Sequence, residues 1–204
     1  MRIDDNLNLV FPIRTETIEE GKITKEIPLI YAFHSPITRE VYEANYRIMA
    51  LAKSVIYAKG IQFAVGTGPL IASLVLKEEA HRDAEERGIP DPDLASRAFL
   101  AEIKRLTMIV GPSDNGFKPL PVDAALSSGM IDADEWREAE SQLVFFSVTS
   151  YLVKQSKKKM AMDSAAFFLG GGLVSSNCTE WAVFSPTSSP SAPGLLGAVS
   201  SEKR

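Results

Sequence analysis

The sequence predicts an α+β domain: an N-terminal β-hairpin packed on a mainly α-helical bundle of four or five helices, followed by a disordered C-terminal tail. Three observations carry this. Apolar residues alternate through the first thirty-odd positions, the pattern then switches to helical period, and the last thirty residues turn rich in Ser, Pro and Gly. The expected boundaries are residues 1–36 for the hairpin region, 37–172 for the helical bundle that completes one domain with it, and 173–204 for the tail. With 204 residues and 45% hydrophobic content the chain can bury one substantial core.

The hairpin is read from Leu7, Leu9 and Phe11, which alternate, a turn at Glu20–Gly21, and a second extended run from Ile23 to Phe33. Alternation puts one side-chain set on each face of a strand, and Gly tolerates the positive φ of a tight turn. Ser35–Pro36 or Thr38 starts the first helix, which Gly60 ends as a left-handed cap. Its expected buried stripe is Val41, Ala44, Ile48, Ala52 and Val55. The second helix should run from Pro69 to Arg87, with LIASLVL as core and the polar KEEAHRDAEER half projecting into solvent. Asp91–Pro92–Asp93 opens a third helix that reaches about Val110, burying Ala95, Phe99, Ile103, Leu106 and Val110. A loop, GPSDNGFKPLP, then leads to a helical turn at Val122–Leu126.

Asp132 with Glu135 three residues later has capping-box spacing and signals the fourth helix. Trp136, Ala139 and Leu143 begin one face, but from Leu143 to Val153 apolar residues cover most of the circumference. A helix apolar all round is either central to a core or meets a partner. The central position is the preferred reading. The surplus nevertheless makes Val144, Phe145, Val148, Tyr151 and Leu152 candidates for partner contact, with Trp181 and Phe184 as an aromatic patch in the tail that either docks elsewhere or folds back. Met160 to Leu169 extends the fourth helix or forms a short one of its own, and Gly170–Gly172 reads as a hinge.

Chemistry is sparse. His34 ends a strand beside a helix cap, where a junction hydrogen bond is the plain expectation. His81 lies among Glu78, Glu79 and Glu85 on a helix face whose plain reading is solvation, not metal binding. The single cysteine, Cys178, has no base nearby in sequence, and neither Gly66–Pro69 nor Gly170–Gly172 is followed by the Lys and Ser or Thr of a phosphate loop. Lys154, Lys157, Lys158 and Lys159 form the one concentrated positive site, expected to complement a helix C-terminus rather than to contact nucleic acid. No carboxylate pair sits in apolar sequence. These readings predict no catalytic group, no cofactor and no metal, hence a binding or assembly protein and not an enzyme.

The net charge of −4 gives no general attraction to nucleic acid or anionic lipid. MRIDDNLNLV is too acidic for a secretion signal, and the longest uncharged window, Gly60 to Leu76, falls short of the roughly 20 apolar residues of a membrane span. One cysteine suits a reducing compartment. The expectation is a cytoplasmic protein that neither enters a membrane nor binds nucleic acid.

The segment from Leu9 to Lys53 resembles the N-terminal portion of the tail assembly chaperones of long-tailed bacteriophages, most visibly in PITREVYEANYRI. The stretch from Ala98 to Phe146, which contains LAEIKRLT, LPVDAA and EWREAESQLVFF, and the Ser/Pro-rich end are similar to the same group, and together these stretches cover most of Leu7 to Tyr151. They are structural patterns, without a catalytic signature. The resemblance implies a protein that binds the helical tape-measure protein in the host cytoplasm, keeps it soluble until the tail tube polymerises, and is absent from the finished virion. Tail-tube protein and a second copy of the chain are further candidate partners. The alternative is a structural protein of the tail or neck, such as a tail terminator or head–tail connector.

Overall fold

The computed structural model describes residues 7–20, 23–114 and 116–184, with the side chains of 18–20, 23–28 and 184 outside that description. The expected turn at Glu20–Gly21 reaches into residues 21–22, which also lie outside it. The α+β class holds. Strands β1 (Asn8–Glu20) and β2 (Ile23–His34) form the expected antiparallel hairpin, with Leu9 opposite His34 and Phe11 opposite Ala32. Pairing shifts register between Pro12 and Thr15. Pro12 lacks a donor, and it stands just past Val10, where the strand on its other side stops pairing.

Helix α1 (Arg39–Tyr57) is capped by Thr38, whose hydroxyl accepts from the Val41 amide at 3.3 Å. Its buried positions are Ile48, Met49, Ala52 and Ile56, so the stripe is rotated from the expected one and leaves Ala44 and Val55 exposed. A short α2 (Ile61–Gly66), not foreseen, precedes α3 (Gly68–Glu86).

The first half of α3 is core as expected at Ala72, Val75 and Leu76, but both halves are two-faced. Leu70 and Leu74 are each 58% exposed, whereas Glu79, Ala80, Asp83 and Ala84 in the polar half are buried. Ion pairing is the reason. Asp83 accepts from Arg47 of α1 at 2.5–2.9 Å and from Arg87 at 3.2 Å, Glu79 pairs with Arg82, and Lys77 reaches Glu140 at 3.6 Å. The Arg47 hydrogen bonds hold the Asp83 carboxyl below its ordinary pKa. Paired charges can enter an interface that unpaired ones cannot.

Helix α4 (Leu94–Arg105) buries Phe99 and Ile103 as expected but leaves Ala95 exposed, and it stops short of Val110. The predicted end of that helix and the loop after it are instead a second hairpin, β3 (Thr107–Ser113) and β4 (Gly116–Pro121). Thr107 ends the helix by donating to the Ile103 carbonyl at 2.7 Å, and β3 then pairs with β2, Tyr31 lying opposite Val110.

Helix α5 (Val122–Ser127) leads to α6 (Ala133–Tyr151), whose capping box is complete: Asp132 accepts from the Glu135 amide at 2.8 Å and the Glu135 carboxylate from the Asp132 amide at 2.9 Å. The same carboxylate takes the Arg14 guanidinium at 2.6 and 2.7 Å, tying β1 to the start of α6. A separate α7 (Lys158–Phe168) follows a 3-10 turn.

The tail does not begin at Leu173. Strand β5 (Gly172–Val174) pairs with Asn8–Val10 and helix α8 (Cys178–Phe184) follows, while residues 185–204 lie outside the description. Of the glycines 170–172, Gly171 serves a close approach to β1, and the run joins α7 to β5. Gly170 takes φ 65°, and a Cβ on Gly171 would overlap the Val10 carbonyl oxygen.

The sheet has the order β4-β3-β2-β1-β5. Leu9, Phe11, Ile30, Ala32 and Ile109 face the helices and join the main core, whose centre is α6 between α3, α1, α4 and α7. Val10, Tyr31, Phe33 and Val110 face the other way and are covered by Trp181 and Ala182 of α8. Trp181 meets Tyr31 edge-on with ring centroids 5.0 Å apart.

Candidate partner-binding surfaces

The titratable groups singled out in the sequence are used for structure. His34 is buried, and its Nδ1 lies 2.9 Å from the Thr107 hydroxyl. That hydroxyl donates to Ile103, so it accepts from His34, which is the neutral Nδ1–H tautomer. Burial pushes the ring pKa down to about 3. His81 bridges Asp93 at 2.9 Å and Glu85 at 3.3 Å, pinning α3 to the segment before α4, and the Asp93 hydrogen bond raises its pKa. Cys178 is half-buried and its thiol is pushed up to about 11, the wrong direction for a nucleophile. Among the described residues no cluster of His, Cys, Asp and Glu is arranged to hold a metal ion, and no helix is long and apolar enough to cross a membrane.

The partner-contact candidates separate into two groups. Val144, Phe145 and Val148 are fully buried inside the chain's own core and are not available to a partner. From Leu143 to Val148 their helix is enclosed on every side, which is why that half is apolar around its circumference. Tyr151 and Leu152, at its end, are half-buried, and Tyr151 stacks with Tyr42 at 6.3 Å. Trp181 is 8% exposed against the sheet, so the aromatic patch folds back on the domain. Phe184 closes α8, and its side chain lies outside the described residues.

The lysine run does not complement a helix C-terminus. Helix α6 ends at Tyr151, and its terminal carbonyls are taken by Lys53 of α1, whose ammonium donates to Thr149 at 3.3 Å and Leu152 at 3.2 Å. Lys154 to Lys159 fall beyond, and Lys158 and Lys159 open α7, where the helix dipole adds to their charge instead of offsetting it. Lys158 lies over the Tyr151 ring at 4.4 Å. None of these lysines pairs with a carboxylate among the described residues.

Exposed apolar side chains are found where sequence reasoning did not look. On α7, Met160 and Phe167 are seven residues apart on one face, Phe167 being 77% exposed, and Phe168 packs edge-on to it at 5.8 Å. On α3, Leu70 and Leu74 occupy one exposed stripe. The signal was present in Met160 and Phe167 at helical spacing, but core and surface faces of an apolar helix are told apart only by what packs on them. An open cleft of about 1180 Å³ lies between the start of α1 and the β5–α8 link, lined by Phe33, Ile37, Arg39, Tyr42, Met108 and Cys178 among others.

No protein-family model matches this chain, and no curated protein or solved structure shows significant similarity to it.

Proposed function

We propose that this chain is a tail assembly chaperone of a long-tailed phage, which binds apolar helical segments of the tape-measure protein in the host cytoplasm and leaves before the particle is complete. The observation that carries the reading is the pair of exposed apolar stripes, Met160–Phe167–Phe168 on α7 and Leu70–Leu74 on α3. Large side chains exposed in rows on rigid helices fit the apolar face of a partner helix. The resemblance of the Leu9–Lys53 segment and the later stretches to these chaperones supports a tape-measure helix as that partner.

Burial of apolar area is not screened by salt, so the association survives moderate ionic strength. The test is co-expression with a candidate tape-measure protein, followed by pull-down across a salt series. Wild-type chain raises the soluble tape-measure fraction, and Phe167→Ser lowers that effect. A tape-measure protein equally insoluble with and without the chain refutes the proposal. Mass spectrometry of purified virions provides a second check, since stoichiometric copies in the particle identify a structural tail or neck protein instead.

A further inference from the structure

The second apolar face of the sheet is covered in a different way from the first. Val10, Tyr31, Phe33 and Val110 are closed off by Trp181 and Ala182, both on one seven-residue helix, α8. The bonds that hold α8 together are local. Asn177 accepts from the Glu180 amide at 2.9 Å, and its own amide donates to the Glu180 carboxylate at 3.3 Å. The Trp181 amide donates to the Asn177 carbonyl at 2.9 Å. Among the described residues a single hydrogen bond joins this segment to the rest of the domain, from Asn8 Nδ2 to the Ser176 carbonyl at 3.0 Å, and no ion pair does. Strand β5 is fixed to β1, which leaves residues 175–177 as the link on which α8 hangs. The open cleft beside α1 reaches the same place: Phe33, Met108 and Cys178 line the cleft and also pack in this second core.

We infer that α8 is a displaceable lid, which swings out on the 175–177 link while the domain stays folded and uncovers a docking face for an apolar helical segment of a partner protein. Opening breaks one hydrogen bond and uncovers Trp181 and Ala182, and it leaves the main core on the opposite face of the sheet untouched. The uncovered residues join the cleft wall at Phe33 and Met108 into one apolar trough. The vacated seat specifies its occupant. It holds an indole edge-on to Tyr31 at 5.0 Å and 6.2 Å from Phe33, with the small Ala182 beside it letting the helix backbone come close. A segment that fits therefore presents an aromatic residue followed by a small one on a short helix. In the closed chain α8 competes with such a partner, whose apparent affinity scales with the fraction of open molecules. Helices α3 and α7 pack on the other face of the sheet, so the inference does not depend on the client proposed for their exposed stripes.

Amide hydrogen exchange of the full chain, read by mass spectrometry, tests this. Residues 175–184 exchange more slowly than a free peptide but much faster than β2 and β3, and low urea hardly changes their rate because opening exposes little surface. Trp181→Ala brings α8 to the free-peptide rate and leaves β2 and β3 protected. The probe for the uncovered face is an acetylated peptide of residues 175–184 carrying Cys178→Ser, added in excess. It takes the vacated seat and speeds exchange of the chain's own α8 severalfold, whereas the same peptide with Trp181→Ala does not. Exchange of α8 only together with β2 and β3 means that no lid opens, and exchange at the free-peptide rate in the wild type means that nothing is closed; either overturns the inference. A tryptophan-bearing peptide that leaves α8 exchange unchanged overturns the docking face.

Discussion

Replacing Trp181 with Ala tests whether α8 is part of the folded domain. Trp181 is 8% exposed, its ring lies 5.0 Å from Tyr31 and 6.2 Å from Phe33, and among the described side chains of α8 only Ala182 is buried with it. Truncation of a buried Trp costs about 3–5 kcal/mol in a closed core. Here the seat is covered by one seven-residue helix, which can leave as a unit because so short a helix has little stability of its own. The loss therefore cannot exceed the free energy of docking α8, and about 3 kcal/mol is expected. Urea denaturation measures it. A chain ending at Val174 should lose at least as much, because it removes the same contact together with the Asn8 hydrogen bond to the Ser176 carbonyl. Trp136→Phe leaves Trp181 as the sole fluorescent reporter, and its emission should shift red at lower urea than the circular dichroism of the main helices. A Trp181→Ala variant within about 0.5 kcal/mol of wild type, the range of unremarkable surface changes, refutes the packing of α8 on the sheet.

Three other outcomes are expected. Phe99→Ala, at a fully buried position of α4, should cost about 3–5 kcal/mol in urea unfolding; an unchanged midpoint would mean that α4 does not face this core. Gly171→Ala should cost about 1–3 kcal/mol, the range for overpacking, because its Cβ would overlap the Val10 carbonyl and push β5 off β1; a neutral result in thermal melting contradicts that close approach. His34 has a folded pKa of about 3 against about 6.5 unfolded. Above pH 6.5 the ring is neutral in both states and stability is unaffected. Below it the unfolded chain binds a proton that the folded chain does not, so stability falls by about 1.4 kcal/mol per pH unit between those values, roughly 2 kcal/mol by pH 5. His81, with its raised pKa, works in the opposite direction, but its side chain is 43% exposed and water screens its ion pairs. His34→Asn should flatten the slope of unfolding free energy between pH 6.5 and 5, and an unaltered slope would exclude His34 as its source.

What the sequence determined by itself was local. Thr38, Asp132 and Glu135 set helix starts through bonds to amides two or three residues away, and the alternation of Leu9 and Phe11 set the first strand. These signals depend on near neighbours and need no knowledge of the rest of the chain. The tertiary structure decided everything that depends on distant partners. Leu106 and Val110 continue a helical spacing from Phe99 and Ile103, yet Val110 pairs with Tyr31 of β2, which lies more than seventy residues away. Asp83 in the polar half of α3 is buried because Arg47 approaches from another helix to neutralise it. Gly171 and Trp181 read as parts of a loose tail until β1 and Tyr31 are brought beside them. The candidate surface moved for the same reason. Phe145 and Phe167 are alike in sequence, each an aromatic residue in an apolar helix, and only the packing of α6 at the centre of the core buries the first and leaves the second facing solvent.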